Sequence, residues 1–361
     1  MRALPLATLA VLLATAAQAQ HVTNPHASLL DVPARQAALE STHDPLLLAA
    51  IKSVPSCVAT PFVPAPTGRM DIPHHYFSGS SGPVNPAEAI AQRPYAALER
   101  RITGGMNQYL ATGSHTESAC VLAQLDAWAQ AQALLDYDPR SQSWYQVDWT
   151  LGAAGITTSV LVNDPTLNLT QLHRVITWLD TAARLDITFE RPGKDLNNHH
   201  YWRALAAISI GVAASDDKLF RFGVHAYKQA IDEINPDGAF PREMARHENA
   251  IHYQNFALQP LIVIAQFASR QGIDLYAYQS HGRSIRNAIL FFGNAVANPS
   301  LVKPYTTDVQ HIDSHPSDFA AFDFYVARFG TAGLPPSITL MLKHPTTETR
   351  VGGCTTLLAA N

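Results

Sequence analysis

The residue types best suited to chemistry gather in one short stretch, Asn197-Asn198-His199-His200-Tyr201-Trp202. It follows a polar segment, Glu190 to Asp195, and opens an apolar run, Ala204 to Val212. Two amides and two imidazoles therefore stand where a helix should begin, beside unpaired backbone N–H groups. A second set is Arg246, Asn249 and Tyr253, spaced three and four apart. On a helix that spacing makes one face, with Arg246 and Tyr253 about 10 Å apart along the axis. The run from Leu258 to Phe267 then turns apolar, so the polar face sits in the first turns.

Amide, imidazole, guanidinium and phenol together suit β-elimination from a uronate polymer. The C6 carboxylate must be neutralised so that the C5 proton becomes acidic, and Asn198, His199 and Arg246 supply donors for it. A base must take that proton, and an acid must protonate the leaving O4. Tyr253 can do both on one face of the sugar ring, provided Arg246 lowers its pKa from about 10. His199 is expected to be neutral, because the positive end of a helix disfavours imidazolium. It can then donate one N–H or act as an alternative base. His200 points elsewhere around the helix and is expected to be structural.

Other chemistries fit less well. The chain has 16 histidines, including the tandem pairs His74-His75 and His199-His200. Neighbours on a helix diverge by about 100°, so such pairs chelate poorly. There is no His-Glu-x-x-His or Cys-x-x-Cys, and neither a metal nor another cofactor is expected. Glycoside hydrolysis needs two carboxylates across the bond. Asp195, Glu243 and Glu248 are available but form no recognisable pair. A non-catalytic protein that binds the polymer in the same cleft is the non-enzymatic alternative.

The elements that must hold these residues are helical. Charged residues make up 15% and hydrophobic ones 47% of the 361 residues, which suits helices packed on helices. The net charge of −4 gives no global attraction to a polyanion, so an acidic polymer must be met by a local basic cluster. Nucleic-acid binding lacks any basic run or zinc-finger spacing. Residues 1–19 read as a cleaved signal peptide: Arg2, an apolar Ala3 to Ala14, and Ala17-Gln18-Ala19 as the cleavage site. A membrane anchor is the alternative there, although the apolar stretch is short. Residues 20–361 are then expected to form a single exported, soluble domain.

Within it, a short helix is expected at Pro33 to Glu40. Seven prolines and three glycines between 54 and 86 forbid long helices and point to a lid over a cleft, carrying His75 and Tyr76. Helices follow at 87–110 (broken near Pro94 and Gly104-Gly105), 119–135, 145–161, 169–185, 198–214, 216–232, 248–270, 275–296 and 318–328. Nine or ten antiparallel helices joined by short loops make a solenoid or a closed α/α toroid, and no fixed repeat favours the solenoid. Of Cys57, Cys120 and Cys354, the first two are the expected disulfide in an oxidising compartment. It would close a loop of about 63 residues worth roughly 4 kcal/mol. Three buried thiols are the alternative.

Several ordered motifs carry a specific resemblance. Asn197-Asn198-His199-x-Tyr201-Trp202 resembles the Asn-Asn-His-x-Tyr-Trp signature of alginate lyases of polysaccharide lyase family 5. Arg246 to Tyr253, with Asn255-Phe256-Ala257-Leu258, resembles that family's Arg-x6-Tyr-x-Asn-aromatic-Ala-Leu segment. Cys120, Leu122, Trp128 and Ala129 resemble its Cys-Ala-Leu…Ala-Trp-Ala helix, and Trp149-x-Leu151-Gly152 its Trp-Ala-Leu-Gly segment. A weaker echo lies at Arg350-Val351-Gly352-Gly353. The resemblance implies an all-α, incomplete α/α toroid in the periplasm that cleaves mannuronate-containing chains and leaves a 4,5-unsaturated sugar. It implies that Asn198, His199 and Arg246 handle the carboxylate and that Tyr253 is base and acid. It places His75, Tyr76, Tyr145, Trp149, Trp202 and His252 along the cleft, and it agrees with a Cys57–Cys120 disulfide. The expected partner is an acidic polysaccharide, with no nucleic acid or membrane, and the expected state is a monomer. The chain departs from the family pattern in the lid, where His75-Tyr76 replaces Lys-Tyr, and at Gln254 and Phe256. Those departures leave glucuronan or another uronate polymer as the alternative substrate.

Overall fold

The first three helix starts are written by short polar caps followed by proline. Asp31, Asp44 and Asn85 each accept a first-turn N–H, and a proline occupies the first or second helical position. The helices so begun are α1 (Val32–Glu40), α2 (Pro45–Ser53) and α3 (Pro86–Thr112). The computed structural model describes residues 20–78, 82–139, 141–189, 196–312 and 314–359. The signal peptide expected over 1–19 lies outside the described residues, as do 79–81 of the lid and 190–195, including Asp195.

Next come α4 (His115–Gln130), α5 (Ser143–Leu161), α6 (Leu169–Asp186), α7 (Asn198–Ala214) and α8 (Asp217–Glu233). They are followed by α9 (Pro241–Met244), α10 (Ala250–Arg270), α11 (Ile285–Ala297), α12 (Phe322–Phe329), α13 (Pro336–Met341) and α14 (Thr355–Ala359). Two two-residue strands, β1 (Thr347–Glu348) and β2 (Gly353–Cys354), form a small antiparallel hairpin.

The helices form two layers. In the inner layer α3 packs on α5, α5 on α7 and α7 on α10. In the outer layer α4, α6, α8 and α11 back them, with α3 on α4, α5 on α6, α7 on α8 and α10 on α11. This is the all-α toroid expected from the sequence. Burial follows the layers. Nearly every residue of α5 and α7 is buried, whereas α8 buries one stripe, including Leu219, Phe220, Val224, Tyr227 and Ile231. The C-terminal turn at Thr349–Val351 packs on α3, α5 and α10, so the end of the chain reaches the inner ring.

The Cys57–Cys120 disulfide forms, with Cα atoms 6.0 Å apart, and Cys354 is buried and unpaired. Helix boundaries differ from expectation in several places: α4 starts four and ends five residues early, α12 starts four residues late, and three other differences bear on packing and the site. The α3 helix runs unbroken for 27 residues. Pro94 is tolerated because the carbonyl it leaves without a partner, at Ile90, lies in an exposed stretch. Gly104 and Gly105 serve close packing: a Cβ on Gly105 would lie 2.5 Å from Cβ of Cys57, beside the disulfide. Next, Arg246 precedes α10 instead of riding on it, because a turn with His247 at φ 54° intervenes. Third, α11 begins only at Ile285, since His281 and Gly282 take positive φ in a turn closed by Ser280 and Arg283. The hairpin, α2, α9, α13 and α14 were not expected.

Candidate active site

The start of α7 positions the first group. Asn197 caps the helix by accepting the His199 N–H at 3.2 Å. His199 emerges half-buried from the first turn, and the Tyr145 ring of α5 stacks on it with centroids 3.5 Å apart and planes 12° from parallel. Burial, then the charges of Arg246 and Arg203, hold its imidazole well below the usual histidine range. His199 is thus neutral as expected, with burial and two arginines as the main cause. Its Nδ1 has no hydrogen-bond partner.

The turn before α10 positions the second group. The Arg246 guanidinium lies over the Tyr253 ring, 3.7 Å from its centroid. Sequence spacing on one helix face would have held the two about 10 Å apart; the turn at His247 folds the arginine back onto the ring. Arg246 Nε has no hydrogen-bond partner either. Burial is the larger influence on the Tyr253 phenol and pushes it up, and Arg246 pulls it back down. The phenol is therefore protonated and able to donate, and the lowering expected from Arg246 is outweighed by burial.

The lid closes over this pair. Tyr76 bridges Val84 in a small antiparallel turn, with Asn85 N–H donating to the His75 carbonyl at 2.7 Å. The Tyr76 hydroxyl stands 3.4 Å from the Tyr253 hydroxyl. His75 Nδ1 lies 2.6 Å from a Glu88 carboxylate oxygen, so the lid histidine is engaged by an acid of α3. His252 stacks on Phe256 at 6.0 Å, and Trp149 meets Phe256 edge-on at 6.1 Å.

His75, Tyr76, Tyr145, Trp149, His199, Arg246, His252 and Tyr253 share the wall of one cavity of about 350 Å³. A second chamber of about 470 Å³ adjoins it, sharing His75, Tyr76, His252 and Tyr253, so the cleft continues on both sides of the tyrosine pair. Such a two-sided groove fits a chain-like ligand whose middle lies at Tyr253.

Two expected site residues lie elsewhere. Trp202 is 1% exposed and belongs to the core, packed on Phe256 at 5.0 Å. The cause is its place one turn beyond His199 on a helix buried on nearly all faces. Asn198 lies behind the wall, fully buried, with its backbone N–H and its Nδ2 bonded to Glu243 at 2.7 and 2.8 Å. His200 packs against Phe222 and Tyr201, away from the cleft, as expected.

Arg350 was missed as a cleft residue. It comes from the C-terminal turn and lies 3.8 Å from the Trp149 ring centroid. Only the weak Arg-Val-Gly-Gly echo marked it, since no local spacing ties residue 350 to residue 149. Of the carboxylates weighed for hydrolysis, Glu243 is committed to Asn198. Among the described residues no group of three His, Cys, Asp or Glu side chains is placed to hold a metal, and no helix is long and apolar enough to cross a membrane.

Comparison with known proteins agrees with this arrangement. The family model described as alginate lyase matches residues 75–302. A polysaccharide lyase of Stenotrophomonas maltophilia is 33% identical over 262 residues, covering 70% of this chain and 76% of that protein. An alginate lyase of Pseudomonas syringae is 31% identical over 191 residues, and the match spans 50% of its length. Among solved structures, alginate lyase A1-III from Sphingomonas species A1 superposes with a TM-score of 0.87 at 41% identity, covering 94% of this chain and 97% of that one.

A helical toroid whose inner helix starts present histidine, arginine and tyrosine to an open groove is, with these relatives, a polysaccharide lyase. The chain belongs to the alginate lyase family.

Proposed function

We propose that the protein is a periplasmic lyase that cleaves mannuronate-rich alginate by β-elimination. The observation that carries this is the close set of His199, Arg246 and Tyr253 on one wall, two of them with polar atoms lacking a partner. His199 and Arg246 line the same wall, so a sugar carboxylate held between them would meet an imidazole and a guanidinium. With that carboxylate neutralised, the C5 proton becomes removable. To take it, Tyr253 must first release its phenol proton to solvent; burial disfavours that ionised form, and the guanidinium on its ring offsets part of the cost. The phenol so formed returns a proton to O4 as the C4–O4 bond breaks, leaving a 4,5-unsaturated uronate. Neutral His199 is the other group able to accept the C5 proton. Asn198 acts from behind the wall, where its bonds to Glu243 fix the first turn of α7 that carries His199.

The relatives support the substrate class. Two solved structures of alginate lyase A1-III hold a tetrasaccharide, one with a histidine replaced by alanine and one with a tyrosine replaced by phenylalanine. Those are the residue types that His199 and Tyr253 present here. The export signal read at residues 1–19 supports a periplasmic location. Glucuronan is the second reading, favoured by one observation. The lid residue His75 is engaged by Glu88, so the fixed positive charge on the wall rests with Arg246 and Arg350.

A substrate panel tests the proposal. Polymannuronate, polyguluronate, glucuronan and hyaluronan are incubated with the protein, and ultraviolet absorbance of the conjugated alkene is followed. Polymannuronate should give the highest kcat/KM. Glucuronan leading the panel would select the second reading, and no unsaturated product from any uronate would sink both.

A further inference from the structure

Glu243 takes no part in the proton transfers above, yet it joins the two segments that carry the site. It lies on α9 and is 1% exposed. One carboxylate oxygen accepts the Asn198 backbone N–H at 2.7 Å, and the other accepts Asn198 Nδ2 at 2.8 Å. Its own carbonyl accepts the Arg246 N–H at 3.1 Å. The first turn of α7 and the turn that aims Arg246 are thus held by one residue, across 45 positions of sequence. The charged and titratable groups facing the carboxylate are Arg242 and Arg246 from its own segment, Tyr201 from α7 and Tyr253 from α10.

For stability alone this is a poor choice of residue, since a buried carboxylate costs free energy unless fully bonded. Burial outweighs the two Asn198 bonds and then Arg246 and Arg242, all of which pull Glu243 down, and leaves it raised to about 7. What the carboxylate offers in return is geometry. Two acceptors in one plane fix both the amide and the helix start, which sets the direction in which His199 leaves the helix.

Resting on the elimination reading above, we propose that Glu243 is a positioning residue of the reaction: its carboxylate locks Asn198 and the first turn of α7 against the Arg246 turn, so that His199 and Arg246 meet one sugar carboxylate. Glutamine at this position offers one acceptor and one NH2, so one of the two Asn198 donors faces another donor. Aspartate keeps both acceptors but retreats by one methylene.

The test is a double-mutant cycle on polymannuronate with Glu243→Gln, Asn198→Ala and the combination, plus Glu243→Asp. Circular dichroism and thermal midpoints check that each variant is folded. Glu243→Gln should lower kcat by about 10- to 100-fold with KM within about threefold, as misplacement of reacting groups does. The double variant should be no slower than Asn198→Ala alone, because the two act as a unit. Wild-type kcat should fall as pH drops through about 7, where the protonated acid loses one acceptor, and Glu243→Gln should lack that limb. Glu243→Asp should recover part of the rate, and it carries the pH test if Glu243→Gln does not fold. Losses that multiply independently in the double variant, or full activity in Glu243→Gln with Asn198→Ala impaired, would overturn the role of Glu243 alone. Full activity in Asn198→Ala would overturn the positioning proposal while leaving the elimination reading, which rests on His199, Arg246 and Tyr253, in place; no unsaturated product from the wild-type protein on any uronate would remove that reading.

Discussion

Replacing Arg203 with methionine should destabilise the protein, and the loss should grow as pH rises. Arg203 is 1% exposed on α7, four residues beyond His199, with Nε 3.4 Å from Asp148 of α5 and 3.4 Å from Asp186 at the end of α6. Its guanidinium lies 4.3 Å from the centre of the Trp144 ring, which packs on Tyr145 and His199. Burial and the neighbouring Asp186 hold the Asp148 carboxyl well above the usual range, and Arg203 opposes them. Methionine keeps the apolar stem and removes the cation, leaving two carboxylates to face each other in the core. Breaking a buried ion pair in this way costs about 3–5 kcal/mol. The sign with pH follows from linkage. The folded-state pKa of Asp148 lies above its unfolded value, so its protonated form favours folding. That contribution is present in acid and is lost as pH rises through the folded pKa. Without Arg203 the pKa rises further, so the gap between wild type and Arg203→Met should be wider above the wild-type folded pKa of Asp148 than below it, that is, wider at high pH than at low pH. Urea unfolding followed by circular dichroism at low and at high pH measures it. A gap under about 1 kcal/mol, or one that does not change with pH, would refute the reasoning.

Two further outcomes follow from the fold. Reducing the Cys57–Cys120 disulfide, or replacing both cysteines with serine, should lower unfolding free energy by roughly 4 kcal/mol in the chain-entropy model, and equal denaturant midpoints with and without reductant would contradict that. Trp202→Ala should cost about 3–5 kcal/mol of stability while leaving KM of the folded protein nearly unchanged, whereas Trp149→Ala, at the cavity wall beneath Arg350, should raise KM; unfolding curves and steady-state kinetics separate the two.

Much of this architecture was legible in the sequence because it is written locally. The bounds of α7 follow from a cap and an apolar run, and Arg246 and Tyr253 stand out by residue type in one short polar segment, although their spacing does not give their contact. What was not legible depends on distant partners. Pro94 and Gly104-Gly105 read as breaks, yet α3 continues because Gly105 makes room for the disulfide. Arg246 reads as a helix residue, yet the left-handed turn at His247 folds it over Tyr253. Trp202 carries the signature of a cleft aromatic, but the all-round burial of α7 takes it into the core. Arg350 and Glu243 gain their meaning from Trp149 and Asn198, which no spacing in the chain connects to them.

The central claim is that Tyr253 moves the proton. Its most direct test is Tyr253→Phe, which keeps the ring beneath Arg246 and removes only the hydroxyl. Product absorbance and polymer binding are measured side by side on the best substrate of the panel. The account predicts a loss of about 10²- to 10⁴-fold in rate, the range expected for removing a general acid–base group, with binding retained. Tyr253→Phe turning over at the wild-type rate would contradict it and leave His199 as the group to examine.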